Sequence, residues 1–338
     1  MSRPPALHFE SMTSFLSLRS AALRAARGHR RSSNVSRFLF NLEPEIFRLQ
    51  RELRSGQYRP GTYVVFSVSD PKHRLICAAP FRDRVVHHSL CLQLEPHFEA
   101  LALPHSYACR HGKGSHAAVA HAWQASKAHP FFLKLDIRKY FESLPHARLL
   151  RLLNRIPQDD HSRDLIAMLV RHGAPGSEPG RGLPIGALSS QHFANFYLLP
   201  LDRHVVRKLR PGAYFRYMDD LLLFDHSMEG LREAAAEIDC FVTHRLDLQL
   251  KEEATLLAGV AEGVPFLGFR FWPGLIRMAP SRLRRFRRAF RRLHRTLDAG
   301  LCDEQAVARS AASLIGWSEH AHSLRLRRSF FGRLGEWK

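Results

Sequence analysis

Tyr214-Phe215-Arg216-Tyr217-Met218-Asp219-Asp220-Leu221-Leu222-Leu223-Phe224 sets two adjacent carboxylates between apolar and aromatic runs. No Gly, Pro or Asn marks a solvated turn. The flanking residues suit strands, and too few lie between them for a helix. The spacing predicts a β-hairpin with Asp219 and Asp220 at its tip. Two acids held between buried strands repel each other and lose hydration, so one must protonate or a cation must bind. Asp159-Asp160 serves as an internal control, because it sits in the polar run from 158 to 164 and needs nothing beyond solvent.

Around that stretch, 338 residues with an apolar fraction of 45% allow a large core divided into two or three subdomains. The formal net charge of +20 points to a polyanionic partner, nucleic acid before a membrane surface. An Arg-rich composition alone is the plainer alternative. The 5 cysteines (Cys77, Cys91, Cys109, Cys240, Cys302) form no C-x-x-C pair, and the 21 histidines form no H-E-x-x-H set. Neither a disulfide framework nor a zinc site is indicated, and a cytoplasmic location is expected. No apolar run approaches the roughly 20 residues of a membrane span. The N-terminus is rich in Ser and Arg but carries Glu10 and lacks a clear apolar core, so it reads as a helical arm, with a transit-like segment as the alternative.

Along the chain, a short helix is expected over 11–27. Another should be capped by Asn41 and carry Leu42, Ile46, Leu49 and Leu53, stopping at Gly56. Strands at 62–69 and 74–78 flank an Asp70-Pro71 turn, and a helix from Arg82 to Leu94 should end before Pro96. Phe131 to Asp136 reads as a buried strand ending in an acid. Residues 146–172 read as helical, Gly173 to Gly182 as a loop, and Leu183 to Asp202 as loop then helix. Residues 229–245 read as a helix, and Leu246, Leu248 and Leu250 alternate as in a strand. Val264 to Phe271 reads as a further strand. Without βαβ regularity the class is α+β with an antiparallel sheet. From 281, Leu283, Phe286, Phe290, Leu293 and Leu297 make one helical stripe. Eight arginines (282, 284, 285, 287, 288, 291, 292, 295) cover the other faces, with no acid among them; phosphate contact is the preferred reading.

Asp136, Asp219 and Asp220 are the acids that end or cap strongly apolar strands. Brought together, three carboxylates would hold two Mg²⁺ ions, or Mn²⁺, because oxygen ligands without His or Cys favour hard cations. Such a pair activates an attacking hydroxyl and stabilises the leaving oxygen of a phosphoryl displacement. Spacing alone does not bring residue 136 to residue 219.

That step comes from a resemblance. Tyr217-Met218-Asp219-Asp220 resembles the catalytic motif of reverse transcriptases, and Leu135-Asp136 with Tyr140-Phe141 their first metal-binding motif. Gly182-Leu183-Pro184-Ile185-Gly186 resembles the loop over the nucleotide pocket, and Phe266-Leu267-Gly268-Phe269 the primer grip. Lys72, Arg74 and Arg82-Asp83-Arg84 fall where the basic motifs of the fingers are expected. The matches run in the family's order over about residues 58–275.

The resemblance implies a right-hand polymerase fold, with an N-terminal arm and fingers over 1–130. A palm over 131–274, with an insertion near 145–182, and a helical basic thumb over 275–338 would follow. It implies that Asp136, Asp219 and Asp220 carry the metals, and that Lys251 is a general acid for pyrophosphate departure. An exposed strand lysine is the alternative there. Lys72 and Arg74 would hold the triphosphate of the dNTP, and Phe141 would exclude a ribose 2′-hydroxyl. Tyr140, Ile185, Gly186 and Gln191 would complete the nucleotide pocket. Arg82, Arg84, Arg110, Phe266, Leu267, Gly268, Arg284, Arg288, Arg291 and Arg295 would meet template and primer. Gly112-Lys113-Gly114-Ser115 is not a P-loop, since the first glycine and the Lys-Ser/Thr junction are missing.

Within the family, Ile185 stands where most members have Gln. Ile185-Gly186-Ala187-Leu188-Ser189-Ser190-Gln191 resembles the pattern of diversity-generating retroelements, as do Pro80 to His88 and Gly316-Trp317-Ser318-Glu319-His320-Ala321. An apolar side chain cannot supply the hydrogen bonds of glutamine, so substrate discrimination should fall. The resemblance thus implies error-prone copying of a template RNA opposite adenine, from a DNA or RNA primer, with a small basic accessory protein. The chain is expected to end without room for maturase, nuclease or integrase domains. A group II intron-like or other bacterial enzyme of ordinary fidelity, and a non-catalytic RNA-binding scaffold, are the alternatives.

Overall fold

Leu221, Leu222, Leu223 and Phe224 are apolar without alternation because their strand is covered on both faces, and each is 0% exposed. The computed structural model describes residues 4–69, 73–301 and 303–331. The chain packs as two compact units that interleave along the sequence. The first comprises Met1–Arg110, Ile137–Lys208 and Ile238–Lys251; the second comprises His111–Asp136, Leu209–Glu237 and Glu252–Lys338.

In the first unit, α1 (Phe9–Met12), α2 (Phe15–Ala25), α3 (Ser33–Phe40) and α4 (Leu42–Arg54) precede the hairpin β1 (Val64–Ser69) and β2 (His73–Ala78). The N-terminal segment is not a free arm. Leu18, Ala21, Ala22 and Ala25 of α2 are buried, and α2 packs on α5 (Phe81–Leu101). Small residues every third or fourth position allow that close approach. Asn41 precedes α4 but makes no cap; its Nδ2 donates to the Arg37 carbonyl. Helix α5 continues through Pro96, against expectation. Buried Leu90, Leu94 and His97 keep one packed face across the proline, and this outweighs the lost backbone bond.

The second unit holds α6 (Ser115–Ala125), which the sequence reading left unassigned, and β3 (Phe131–Asp136). Beyond β3 the first unit resumes with α7 (Tyr140–Ser143), α8 (His146–Leu153), α9 (Asp160–His172), α10 (Leu188–Tyr197) and α11 (Leu199–His204). The second unit then adds β4 (Ala213–Tyr217) and β5 (Asp220–Asp225) before α12 (Met228–Leu246), whose first half belongs to it. Leu246 ends α12 and Asp247 takes φ 55°, so the expected strand at 246–250 reduces to one bridge between Leu250 and Ile137.

With β6 (Leu256–Gly259) the antiparallel sheet is complete in the order β4-β5-β3-β6. A three-stranded sheet follows, in the order β7 (Val264–Phe266), β8 (Phe269–Trp272) and β9 (Leu275–Met278). The single strand expected at 264–271 is thus a hairpin folded at Leu267-Gly268. Helices α13 (Pro280–Asp298), α14 (Glu304–Ser318) and α15 (Leu324–Phe331) complete the unit. Phe286 and Phe290 of α13 are buried, and Arg284, Arg287, Arg288, Arg291, Arg292 and Arg295 are exposed, so the predicted two-faced helix is present.

Candidate active site

Strand register brings the first and last acids together. Asp136, the final residue of β3, lies directly across from Asp220, the first of β5. Directly opposed residues of an antiparallel pair point to the same face. Asp219 occupies the two-residue turn between Tyr217 and Asp220, which are paired in β4 and β5. All three carboxylates therefore stand at one end of one sheet, half-buried. Met218 opens the turn at φ 54°, a backbone state that costs a side-chain-bearing residue energy. Arg216, fully buried at 0% exposure, donates from Nη1 to the Met218 carbonyl at 3.1 Å and pins that turn.

Opposed like charges destabilise a strand pair, so the site calls for a cation. Lys134 Nζ lies 3.5 Å from Asp220 Oδ1 and supplies part of that charge. Among the described residues no three His, Cys, Asp or Glu side chains stand close enough to hold a metal ion as they are. The donor set is nonetheless of the right kind for Mg²⁺ or Mn²⁺: carboxylate oxygens on a rigid strand end, with no competing Cys or His.

The residues expected around a nucleotide fall in the first unit, apart from Lys72, which lies outside the described residues. Arg74 of β2 is exposed. Ile185 is half-buried, and its carbonyl accepts from the Cys77 amide at 2.7 Å. Gly186 has φ 117°, and a Cβ there would stand 3.0 Å from the Cys77 carbonyl oxygen, so only glycine lets this loop lie against β2. Phe141 is half-buried and edge-on to Tyr140. Tyr140 is 2% exposed and its hydroxyl donates to the Ala194 carbonyl, so its side chain is packed inside the first unit. Gln191 is exposed on α10, and Lys251 is half-buried at the end of the unit. A cavity of about 670 Å³ is lined by Arg138, Lys139, Ser143, Arg181, Ile185 and Gln249 among others. Arg181 ties its wall together, donating to the Ser143 carbonyl at 2.8 Å and to Asp247 Oδ2 at 2.6 Å.

Three arginines expected on nucleic acid are engaged inside the fold. Arg82 pairs with Glu52, and Arg84 donates to the Ala25 carbonyl at 2.8 Å. Arg110 donates to Glu99 at 2.8 and 3.0 Å and to the Leu103 carbonyl at 2.6 Å. These guanidiniums fasten helices and turns; their charge in the sequence said nothing of their partners. Arg284, Arg288, Arg291 and Arg295 remain solvent-facing on α13. Phe266 is buried in β7, while Leu267 and Gly268 form the half-exposed turn.

Sequence reasoning also passed over a link between two motifs. His87 Nδ1 of α5 and Ser189 Oγ of α10 share a hydrogen bond of 2.7 Å, both side chains buried. Burial lowers the His87 pKa to about 4, so the ring is neutral at pH 7. The loop carrying Ile185 is thereby anchored on both sides, to Cys77 and to His87. No signal in the sequence joins residues so far apart.

Residues 69–271 match the model of a family described as reverse transcriptase (RNA-dependent DNA polymerase). The chain is 26% identical over 166 residues to the uncharacterized 91 kDa protein in cob intron of Schizosaccharomyces pombe, covering 47% of this chain and 21% of that protein. It is 20% identical over 299 residues to the group II intron-encoded protein LtrA of Lactococcus lactis subsp. cremoris, covering 67% and 49% respectively. It therefore spans about a fifth of the length of the first relative and about half of the second. Among solved structures, telomerase from Candida albicans in complex with the TWJ fragment of telomeric RNA superposes with a TM-score of 0.51 at 12% identity, over 82% of this chain and 55% of that one. That likeness is one of fold.

Proposed function

The chain belongs to the reverse transcriptase family, and from that premise we propose that it extends a primer along an RNA template by nucleotidyl transfer from dNTPs. The observation that supports this most is the register placing Asp136 across from Asp220, with Asp219 in the adjoining turn. On this reading these three residues hold divalent cations, which supply charge for the attacking 3′-hydroxyl and for the departing pyrophosphate. Arg74, with Lys72, holds the triphosphate; Phe141 bars a 2′-hydroxyl; and Lys251 gives a proton to pyrophosphate. The Phe266-Leu267-Gly268 turn meets the primer end, and the exposed arginines of α13 meet phosphates. Fingers at 1–130, palm at 131–274 with the 145–182 insertion, and thumb at 275–338 are the functional divisions we assign. No helix among the described residues is long and apolar enough to cross a membrane. Free thiols at Cys77, Cys91, Cys109 and Cys240 support a cytoplasmic setting.

The test is Asp219→Asn in a primer-extension assay on an RNA template. Synthesis should fall roughly a thousand-fold or more with RNA affinity kept within about two-fold. Retained synthesis defeats the metal assignment.

The finer reading is a diversity-generating retroelement enzyme that mutates at template adenines alongside a small basic accessory protein. Ile185 in a doubly anchored loop supports it, because an apolar group there cannot hydrogen-bond a base or sugar. The intron-encoded relatives support the second reading, a group II intron-like enzyme of ordinary fidelity. Sequencing cDNA from a defined template, with wild type and Ile185→Gln, separates them. Errors concentrated at adenines and reduced in the variant favour the first; an even, unchanged spectrum favours the second.

A further inference from the structure

The Gly316-Trp317-Ser318-Glu319-His320-Ala321 run, noted in the sequence for its pattern alone, has a definite place in the second unit. Trp317 stacks on Phe269 with ring centres 5.1 Å apart and planes 23° apart. The Arg282 guanidinium lies 4.9 Å from the centre of the Trp317 ring. Gly268 backs onto the same arginine, since a Cβ at Gly268 would collide with the Arg282 side chain. His320 stacks on His116 of α6 at 3.6 Å and 16°. His116 in turn stands edge-on to both Trp317 and Phe269. Its buried Nδ1 has no hydrogen-bond partner among the described residues, so ring contacts hold it in place.

The end of the run is fastened as well. His322 and Ile276 of β9 exchange two hydrogen bonds, Ile276 N–H to His322 Nδ1 at 2.8 Å and His322 N–H to the Ile276 carbonyl at 2.9 Å. The His322 ring meets Trp123, two turns along α6 from His116, and Trp123 Nε1 donates to the Trp272 carbonyl at 2.8 Å. Ser318 is fully buried and accepts from Ser323 Oγ.

The target of all this is a strained turn. Phe266 pairs with Phe269, leaving Leu267 and Gly268 as a two-residue loop with φ of 47° and 82°. Two consecutive positive φ values suit Asn-Gly, and leucine enters that region only at a cost. Such a turn keeps its shape when its surroundings over-determine it.

We propose that the segment Gly316 to Ala321 is the positioning element of the Leu267-Gly268 turn, with Trp317 and His320 acting through Phe269, Arg282 and His116. The segment then sets where the primer end lies while leaving nucleotide selection to other residues. This rests on the reading of that turn as a primer contact.

The experiment is single-turnover extension with the full chain, comparing Trp317→Ala, Trp317→Phe, His320→Ala and Leu267→Ala. A positioning role predicts that Trp317→Ala lowers the maximal rate of first-nucleotide addition about ten-fold or more at saturating primer–template, with KM for dNTP and RNA affinity unchanged. Trp317→Phe, which keeps the stack on Phe269, should recover to within about three-fold of wild type. His320→Ala should show the same split between rate and KM, more weakly. If Leu267→Ala impairs primer use but Trp317→Ala and His320→Ala do not, this inference falls and the primer contact stands. If Leu267→Ala is also without effect, the reading of the turn itself fails. Should Trp317→Ala not fold, His320→Ala decides: an unaltered rate of first-nucleotide addition in that variant overturns the proposal.

Discussion

Two hairpin turns in the second unit carry a bulky side chain at positive φ, Met218 at 54° and Leu267 at 47°. The first is braced from within its own hairpin, by a buried guanidinium two residues away that binds the Met218 carbonyl. The second is braced from outside, by Arg282 of α13 and by the rings of Trp317, His116 and His320. An internal brace needs nothing but the strand pair that contains it. An external one depends on the docking of elements distant in sequence, and so can be loosened by changes that never touch the turn.

The sharpest way to break the first turn is Arg216→Met, which fills the volume and removes the bond. Leaving this half-buried carbonyl without its partner costs about 1 kcal/mol. Displacement of Asp219 and Asp220 by a fraction of an ångström should lower primer extension by about 100-fold. Thermal unfolding and extension rate check the two effects separately, and near-normal extension would mean that the turn holds without its brace.

Helix α13 faces both ways, turning Arg282 toward the second turn and Arg284, Arg287, Arg288, Arg291, Arg292 and Arg295 to solvent. Replacing Arg288 and Arg291 together with Ala should weaken primer–template binding about ten-fold and reduce the slope of log affinity against log salt by roughly 2. The shape of the turn should be preserved, since Arg282 remains. An unaltered salt slope would remove phosphate contact from that face.

The braces should also differ in acid. Burial foremost, then His320 and Arg282, holds the His116 pKa below the ordinary 6.5. The unfolded chain therefore takes up its proton first. Stability is full above about pH 6.5 and is lost as pH falls through the folded value. Arg216 does not titrate in this range. His87 in the first unit loses stability in the same window, its pKa being about 4, so a single melting curve cannot separate the two. His116→Phe keeps the ring and removes the proton. Its unfolding midpoint should drop less than that of wild type between about pH 7.5 and about pH 5.5. Equal drops would show that acid leaves the second brace intact.

The two turns were not equally legible. Asp219-Asp220 between uninterrupted apolar runs could be read as a hairpin tip because no solvated alternative existed. Leu267-Gly268 reads from the sequence as the middle of a strand, because the turn residue is leucine where a hairpin of this kind favours asparagine. Its brace supplies what the local sequence lacks, and it comes from 282, 116, 317 and 320, a union that no short-range pattern announces. The same limit explains the inward arginines. Arg82, Arg84 and Arg110 look like any other cations until Glu52, the Ala25 carbonyl and Glu99 are beside them. Helix α13, by contrast, was plain from its stripe and its run of like charge.

The smallest effect tests whether the strain is real. Leu267→Asn converts the second turn to Asn-Gly, the pair that two consecutive positive φ values favour, and should raise stability by about 0.5–1 kcal/mol. Met218→Asn should raise it less, because only the first central residue of that turn is left-handed. Both variants should extend primers more slowly, as each trims a side chain beside the proposed chemistry. The informative quantity is the difference between the two gains in chemical denaturation. A larger gain at 267 means that the outer brace holds a turn its own sequence resists. No gain at 267 would mean the leucine sits there at no cost, and Trp317 would then have nothing to restrain.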